Sequence, residues 1–128
     1  MRALIDTHAF IWWMDANPRL SSRAREALAN EPNECLFSIA SVWEMAIKIS
    51  LGRMVGRGRL DRDLPEQLAA NGLALLPISL AHVTRVADLP FHHRDPFDRL
   101  LIAQALVEGV PVVTVDEVFN DYGVDRIW

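Results

Sequence analysis

A single cysteine, Cys35, rules out an internal disulfide and any metal site built on several thiolates. It lies in the apolar run Cys35-Leu36-Phe37, which predicts a small buried core residue and fits a reducing cytosol. No stretch approaches the length of a membrane span, and the start Met1-Arg2-Ala3-Leu4-Ile5-Asp6 lacks the apolar core of a signal peptide. A cytoplasmic protein with no membrane partner is therefore expected. Positive charge is not in excess either: 13 Lys and Arg against 17 Asp and Glu give a formal net charge of −4. That argues against a surface basic all over, as a nucleic-acid glove would be. It leaves room for a nuclease whose acids are neutralised by metal. One local basic cluster remains, Lys48, Arg53, Arg57 and Arg59, readable as a solvated loop or as a contact to an RNA backbone. Repeats, low complexity and linkers are lacking as well. With 51% apolar and 23% charged residues, the 128-residue chain is expected to be one globular domain, residues 1–128.

What is present alternates. Arg2-Ala3-Leu4-Ile5-Asp6 reads as a buried strand, and a serine cap near Ser21 opens a helix running to about Asn30. Cys35 to Ser38 reads as a second strand. Val42, Met45, Ala46 and Ile49 then recur at helical spacing up to Gly52. A glycine-punctuated loop, Gly52 to Gly58, and a short helix near Pro65 to Asn71 precede a third strand, Leu73 to Ile78. Ser79 caps a further helix. Asp95 at N-cap, Pro96 at N1 and Gly109 past the end delimit the clearest helix in the chain. Val112 to Val115 is the fourth strand, and Val124 to Trp128 offers a fifth. Strands alternating with helices predict an α/β three-layer sandwich with a mostly parallel central sheet.

In such sheets ligands bind beyond the carboxyl ends of the strands. Asp6 and Asp116 fall at two of those ends, and Glu44 and Asp98 are expected in the first turns of helices that begin at that same edge or face it. Each acid alone has an ordinary explanation. Asp6 can cap the following helix, Asp116 can begin a turn, and Asp98 sits where the helix dipole favours negative charge. Ser41-Val42-Trp43-Glu44 has the form of a capping box. Together they point elsewhere: four carboxylates at one edge repel one another, and a hard divalent cation with oxygen ligands, Mg²⁺ or Mn²⁺, relieves that repulsion. Asp6 and Asp98 are the expected principal ligands, with Glu44 and Asp116 completing the site directly or through water. Thr7 and Thr114 supply hydroxyls that orient a ligand or serve the core or a cap.

Asp6-Thr7-His8, Ser41-Val42-Trp43-Glu44, the run His93-Arg94-Asp95-Pro96-Phe97-Asp98-Arg99-Leu100-Leu101-Ile102-Ala103-Gln104-Ala105, and Thr114-Val115-Asp116 together resemble the PIN domain. More narrowly, they resemble the VapC-type toxins of bacterial toxin–antitoxin pairs. The motifs come in family order along nearly the whole chain, and Asp98 with Leu101 to Ala105 is the most specific of them. The resemblance implies that Asp6, Glu44, Asp98 and Asp116 form an acidic metal site, catalytic and metal-ligating at once, with Asp95 at a helix start outside it. It implies Mg²⁺- or Mn²⁺-dependent cleavage of RNA phosphodiester bonds by metal-activated water. It also implies a VapB-like antitoxin as partner, a homodimer, and transfer or ribosomal RNA, cut in a single-stranded or looped region, as substrate. Thr7-His8 departs from the Thr-Asn or Ser-Ser that follows the first aspartate in many relatives.

Other features invite other readings. The four histidines, His92-His93 beside Asp95 among them, lack the spacing of familiar zinc sites and are expected to face solvent or pack in loops. His8 could reach substrate but suits a capping or packing role better. Trp12, Trp13 and Trp43 put aromatic weight near the acidic edge, for packing, a partner interface or base stacking. Trp128 is expected to close the sheet edge. A receiver-like signalling domain would need an acceptor aspartate after the third strand and a lysine after the last, yet that strand ends Pro77-Ile78-Ser79 and the single lysine is Lys48. A haloacid-dehalogenase-type phosphatase would need an aspartate where His8 stands. The alternative that survives is a PIN-like binding or scaffold module without nuclease activity.

Overall fold

The computed structural model describes residues 1–56 and 58–128; Arg57, one member of the basic cluster, lies outside the described residues. In chain order the described elements are β1 (Arg2–Ile5), α1 (Thr7–Met14), α2 (Ser22–Ala29), β2 (Glu34–Ser38), α3 (Ile39–Ser50), α4 (Leu60–Ala70), β3 (Leu73–Leu76), α5 (Leu80–Val86), α6 (Pro96–Glu108), β4 (Val112–Val113), α7 (Val118–Asp121) and β5 (Arg126–Ile127). The strands form one parallel sheet in the order β3-β2-β1-β4-β5, with Ile5 level with Phe37 on one side and Val113 on the other.

Alternation along each strand explains why helices cover both faces. Ala3, Ile5, Cys35, Phe37 and Val113 turn into one core, which they share with α1, α2 and α4. Leu4, Leu36 and Val112 turn into the other, shared with α6 and α7. Strands apolar on both faces belong in a parallel sheet covered twice, and the result is the expected three-layer α/β sandwich. Cys35 is buried, as its neighbours predict. No helix among the described residues is long and apolar enough to cross a membrane.

Helix α6 follows the predicted signals. The Asp95 carboxylate accepts from the Phe97 N–H, Pro96 occupies the first turn, and Gly109 ends the helix at φ 67°. Ser21 and Ser79 likewise cap α2 and α5. Three local expectations are corrected. The cap of α3 is Ser38, whose hydroxyl accepts from the Ala40 N–H, so Ser41 to Glu44 is no capping box and Glu44 lies in the second turn. Helix α4 starts at Leu60, a turn and more before Pro65, because Asp63 accepts from the Arg59 N–H and supplies the start signal there. Strands β3 and β4 stop at Leu76 and Val113, short of Ile78 and Val115.

The order of strands positions the acids. From β1 the chain moves outward one way to β2 and β3, then returns to the other side of β1 for β4 and β5. The sheet therefore reverses its winding between β1 and β4, and a crevice opens beyond the carboxyl ends of those two strands. Asp6 follows the first and Thr114-Val115-Asp116 the second.

Candidate metal centre at the switch point

Asp6 is placed by two hydrogen bonds. Its Oδ1 accepts from the Ala9 N–H at 2.7 Å, which caps α1, and its Oδ2 accepts from the Thr114 hydroxyl at 2.5 Å. Thr114 also receives the Asp116 N–H at 3.0 Å, so one buried hydroxyl couples the two strand-end acids. The turn carrying Asp116 is held from both sides. Arg126 donates to the carbonyls of Thr114 and Val115, and the Asp116 Oδ1 accepts from the Val118 N–H at 3.0 Å. Capping and a functional role are thus compatible at Asp6: each oxygen that accepts a hydrogen bond retains lone-pair capacity.

Asp98 enters from the first turn of α6, and His93 from the segment before it. His93 Nε2 lies 2.9 Å from Asp98 Oδ2 and 3.1 Å from Asp116 Oδ2. Among the described residues, His93, Asp98 and Asp116 bring one ligating atom each within 4.8 Å of one another. Glu44, buried on α3, pairs with Lys48 at 3.6 Å one turn along. Beneath it the Thr7 hydroxyl donates to the Ser41 hydroxyl at 2.9 Å, tying α1 to α3.

The electrostatics mark this as one charged locus. Burial, then the negative charge of Asp95, raises the Asp98 carboxyl from the ordinary 3.8 to about 7; Asp6 and Glu44 add to the rise and His93 opposes it. Burial also raises the pKa of Asp6, with the Thr114 and Ala9 hydrogen bonds acting against it and Asp116 adding to it. Carboxyls whose charged form is disfavoured in this way are short of positive charge. The acids converging here offer oxygens, which suit a hard cation such as Mg²⁺ or Mn²⁺, and His93 brings one ring nitrogen beside them. A 580 Å³ cavity bordered by Met1, Arg23, Pro111 and Asp125 opens at the opposite edge of the sheet, away from these acids.

The four acids singled out from sequence thus reach the site in different degrees. Asp98 and Asp116 meet at the His93 ring, Asp6 joins Asp116 through Thr114, and Glu44 acts on Asp98 through charge while its carboxylate contacts Lys48. The expectation that His93 faces solvent or packs in a loop is corrected. It stands between two carboxylates instead, because its segment folds back over the start of α6, and no spacing rule for metal ligands reveals that. Of the basic cluster, Lys48 is drawn to Glu44 and Arg59 to Asp61, while Arg53 is exposed. His8 is exposed beside Trp12, and Trp12 also contacts Trp128. Trp12 and Trp13 are both half-buried, whereas Trp43 is 58% exposed and meets Phe97 edge-on.

No curated protein matches the chain. Among solved structures, a chain of VapBC2 from Rickettsia felis bound to a DNA fragment from the promoter is similar, with a TM-score of 0.71 at 15% identity over 98% of this chain and 97% of that one. FitAcB from Neisseria gonorrhoeae is similar with a TM-score of 0.65 at 18% identity, covering 98% and 96%. A toxin–antitoxin complex from Klebsiella pneumoniae is similar with a TM-score of 0.57 at 19% identity, covering 89% and 86%. These likenesses show the shared fold. The family model of the PIN domain matches residues 3–125, nearly the whole chain, and the protein belongs to the PIN domain family.

Proposed function

We propose that the chain is a metal-dependent endoribonuclease and the toxin of a toxin–antitoxin pair, with Asp6, Glu44, Asp98 and Asp116 as its catalytic and metal-holding residues. The observation that carries this reading is the convergence of Asp98 and Asp116 at the β1/β4 switch point, where burial and like charge raise the Asp98 carboxyl to about 7. A cation there has a larger driving force than at four solvated surface acids. Bound Mg²⁺ or Mn²⁺ supplies Lewis acidity toward a phosphodiester and activates water. The protein's own part is to hold the acids: Thr114 and Ala9 fix Asp6, α6 presents Asp98, and the Arg126-braced turn presents Asp116.

The substrate we infer is RNA in a single-stranded or looped region, since bases there can be splayed and stacked. Trp43, exposed beside Phe97 on helices that also carry Glu44 and Asp98, offers a surface for such stacking. A VapB-like antitoxin is the partner we infer, supported by the toxin–antitoxin structures that share the fold, and a homodimer is the expected assembly. Purified, antitoxin-free chain incubated with single-stranded and structured RNAs tests the reading. Cleavage that requires Mg²⁺ or Mn²⁺, stops with chelator and is lost in Asp98→Asn is expected. Equal behaviour of the wild type and that variant across RNAs would leave a binding module.

A further inference from the structure

Among the described residues, His93 is the histidine whose ring nitrogen joins the carboxylates of Asp98 and Asp116, and its surroundings decide what it does there. Its Nδ1 accepts from the Asp95 backbone N–H at 3.1 Å. The lone pair of the ring therefore sits on Nδ1, and the proton on Nε2. That Nε2–H points between Asp98 Oδ2 at 2.9 Å and Asp116 Oδ2 at 3.1 Å. Ligating a metal through Nε2 would need the other tautomer, with a proton on Nδ1 driven against the Asp95 N–H. Two donors would then face one another and a hydrogen bond would be lost.

The placement of the ring is heavily built. The His93 backbone N–H donates to the Tyr122 hydroxyl at 2.8 Å, and the same hydroxyl takes the Arg99 guanidinium at 3.3 Å. Arg99, only 7% exposed, also donates to the carbonyls of Pro90, Val86 and Leu89, and lies over the Phe91 ring. Through these uncharged oxygens and the ring, a buried cation organises the segment leading into His93. Because Arg99 directly follows Asp98, the residue that anchors the histidine and the acid it faces share one turn of α6.

We propose that His93 is a positioning residue: its Nε2–H clamps Asp98 and Asp116 toward a common point, and it stays outside the coordination of a metal held between them. This rests on the metal-site reading above. The site remains all-oxygen, and hard cations are favoured over zinc, for which a free imidazole nitrogen would be an attractive ligand.

Two readouts test it without reference to RNA cleavage. Long-range ¹H–¹⁵N correlation on the metal-free protein, with the His93 signal assigned by its loss in His93→Gln, is expected to show the Nε2–H tautomer. An Nδ1–H tautomer would overturn the clamp whether or not metal binds. Pulsed EPR of bound Mn²⁺ is then expected to show no directly bonded ¹⁴N. A nitrogen coupling that disappears in His93→Gln would refute the proposal while leaving the metal site intact. Failure of Mn²⁺ to bind at all would count against the metal-site reading and leave the tautomer result standing. For affinity, His93→Ala is expected to weaken Mn²⁺ binding about 10-fold or more, as losses of groups that orient ligands do, while His93→Gln, which keeps an N–H donor, recovers most of it. Unchanged affinity in the alanine variant would overturn the positioning role.

Discussion

Asp98→Asn is predicted to stabilise the metal-free protein at high pH, though it removes a side chain proposed for catalysis. The wild-type carboxyl rises from 3.8 to about 7 on folding, with burial the main cause and the charges of Asp95, Asp6 and Glu44 behind it. A carboxyl whose folded pKa is raised contributes stability below its unfolded pKa, and that contribution is lost as pH climbs through the folded value. In full the shift is worth about 4 kcal/mol, and about 2.7 kcal/mol of it disappears between about pH 5 and pH 8. Water at the partly exposed carboxyl and mutual titration with its neighbours reduce this to about 1–2.5 kcal/mol. Asparagine cannot ionise and lacks the slope. It forgoes the dipole interaction of a charged third residue of α6, about 0.3–1 kcal/mol, which acts in the opposite direction. The stability of Asp98→Asn relative to wild type should therefore improve by about 1–2 kcal/mol from pH 5 to pH 8, which is a shift of about 0.5–1 M in the urea midpoint. Chelator-treated wild type and variant, unfolded in urea at both pH values, give the comparison. A difference that stays constant with pH, or turns against the variant at pH 8, would refute the account of a charge-starved site.

Mg²⁺ should raise the unfolding temperature of the wild type more at about pH 8 than at pH 5, because it must displace the proton that Asp98 holds; equal shifts at both would contradict this. Thr114→Val leaves the Asp6 Oδ2 and the Asp116 N–H without their shared partner and should cost about 1–3 kcal/mol in urea unfolding, with weaker Mg²⁺ binding; an unchanged midpoint would refute it. Gln104→Ala should cost about 2–3 kcal/mol, since the fully buried amide accepts from the Ser38 hydroxyl that caps α3 and donates toward the Pro77 carbonyl. Metal affinity normalised to folded protein separates that loss from damage to the site. Trp43→Ala should raise KM for single-stranded RNA several-fold with kcat little changed, if bases stack there.

The parts of the fold that are readable from sequence share a local cause. Apolar runs bounded by turn residues locate β1, β2 and the start of β4, and Asp95, Pro96 and Gly109 delimit α6 within its own sequence. Ser41 misleads because a Ser-x-x-Glu spacing is local, whereas its hydroxyl is claimed by Thr7 from 34 positions away. Ser38, the actual cap, is hidden at the end of a strand. Helix α7 has four residues, too few for any period to show. At the site, strand-end and helix-start acids can be gathered from topology alone. His93 cannot, since its place depends on Arg99 and Tyr122 folding the segment back. A buried arginine in the apolar stretch of α6 is the available signal.

Whether acids at the β1/β4 switch point hold a divalent cation is tested most directly in crystals of the antitoxin-free chain, soaked in Mn²⁺ and measured for anomalous scattering. An anomalous peak with carboxylate oxygens of Asp98, and of Asp6 or Asp116, at about 2.2 Å, outside the His93 nitrogen's bonding distance, is the predicted result. A fully soaked crystal with no peak at that edge, or with manganese only on distant surface acids, would contradict the account.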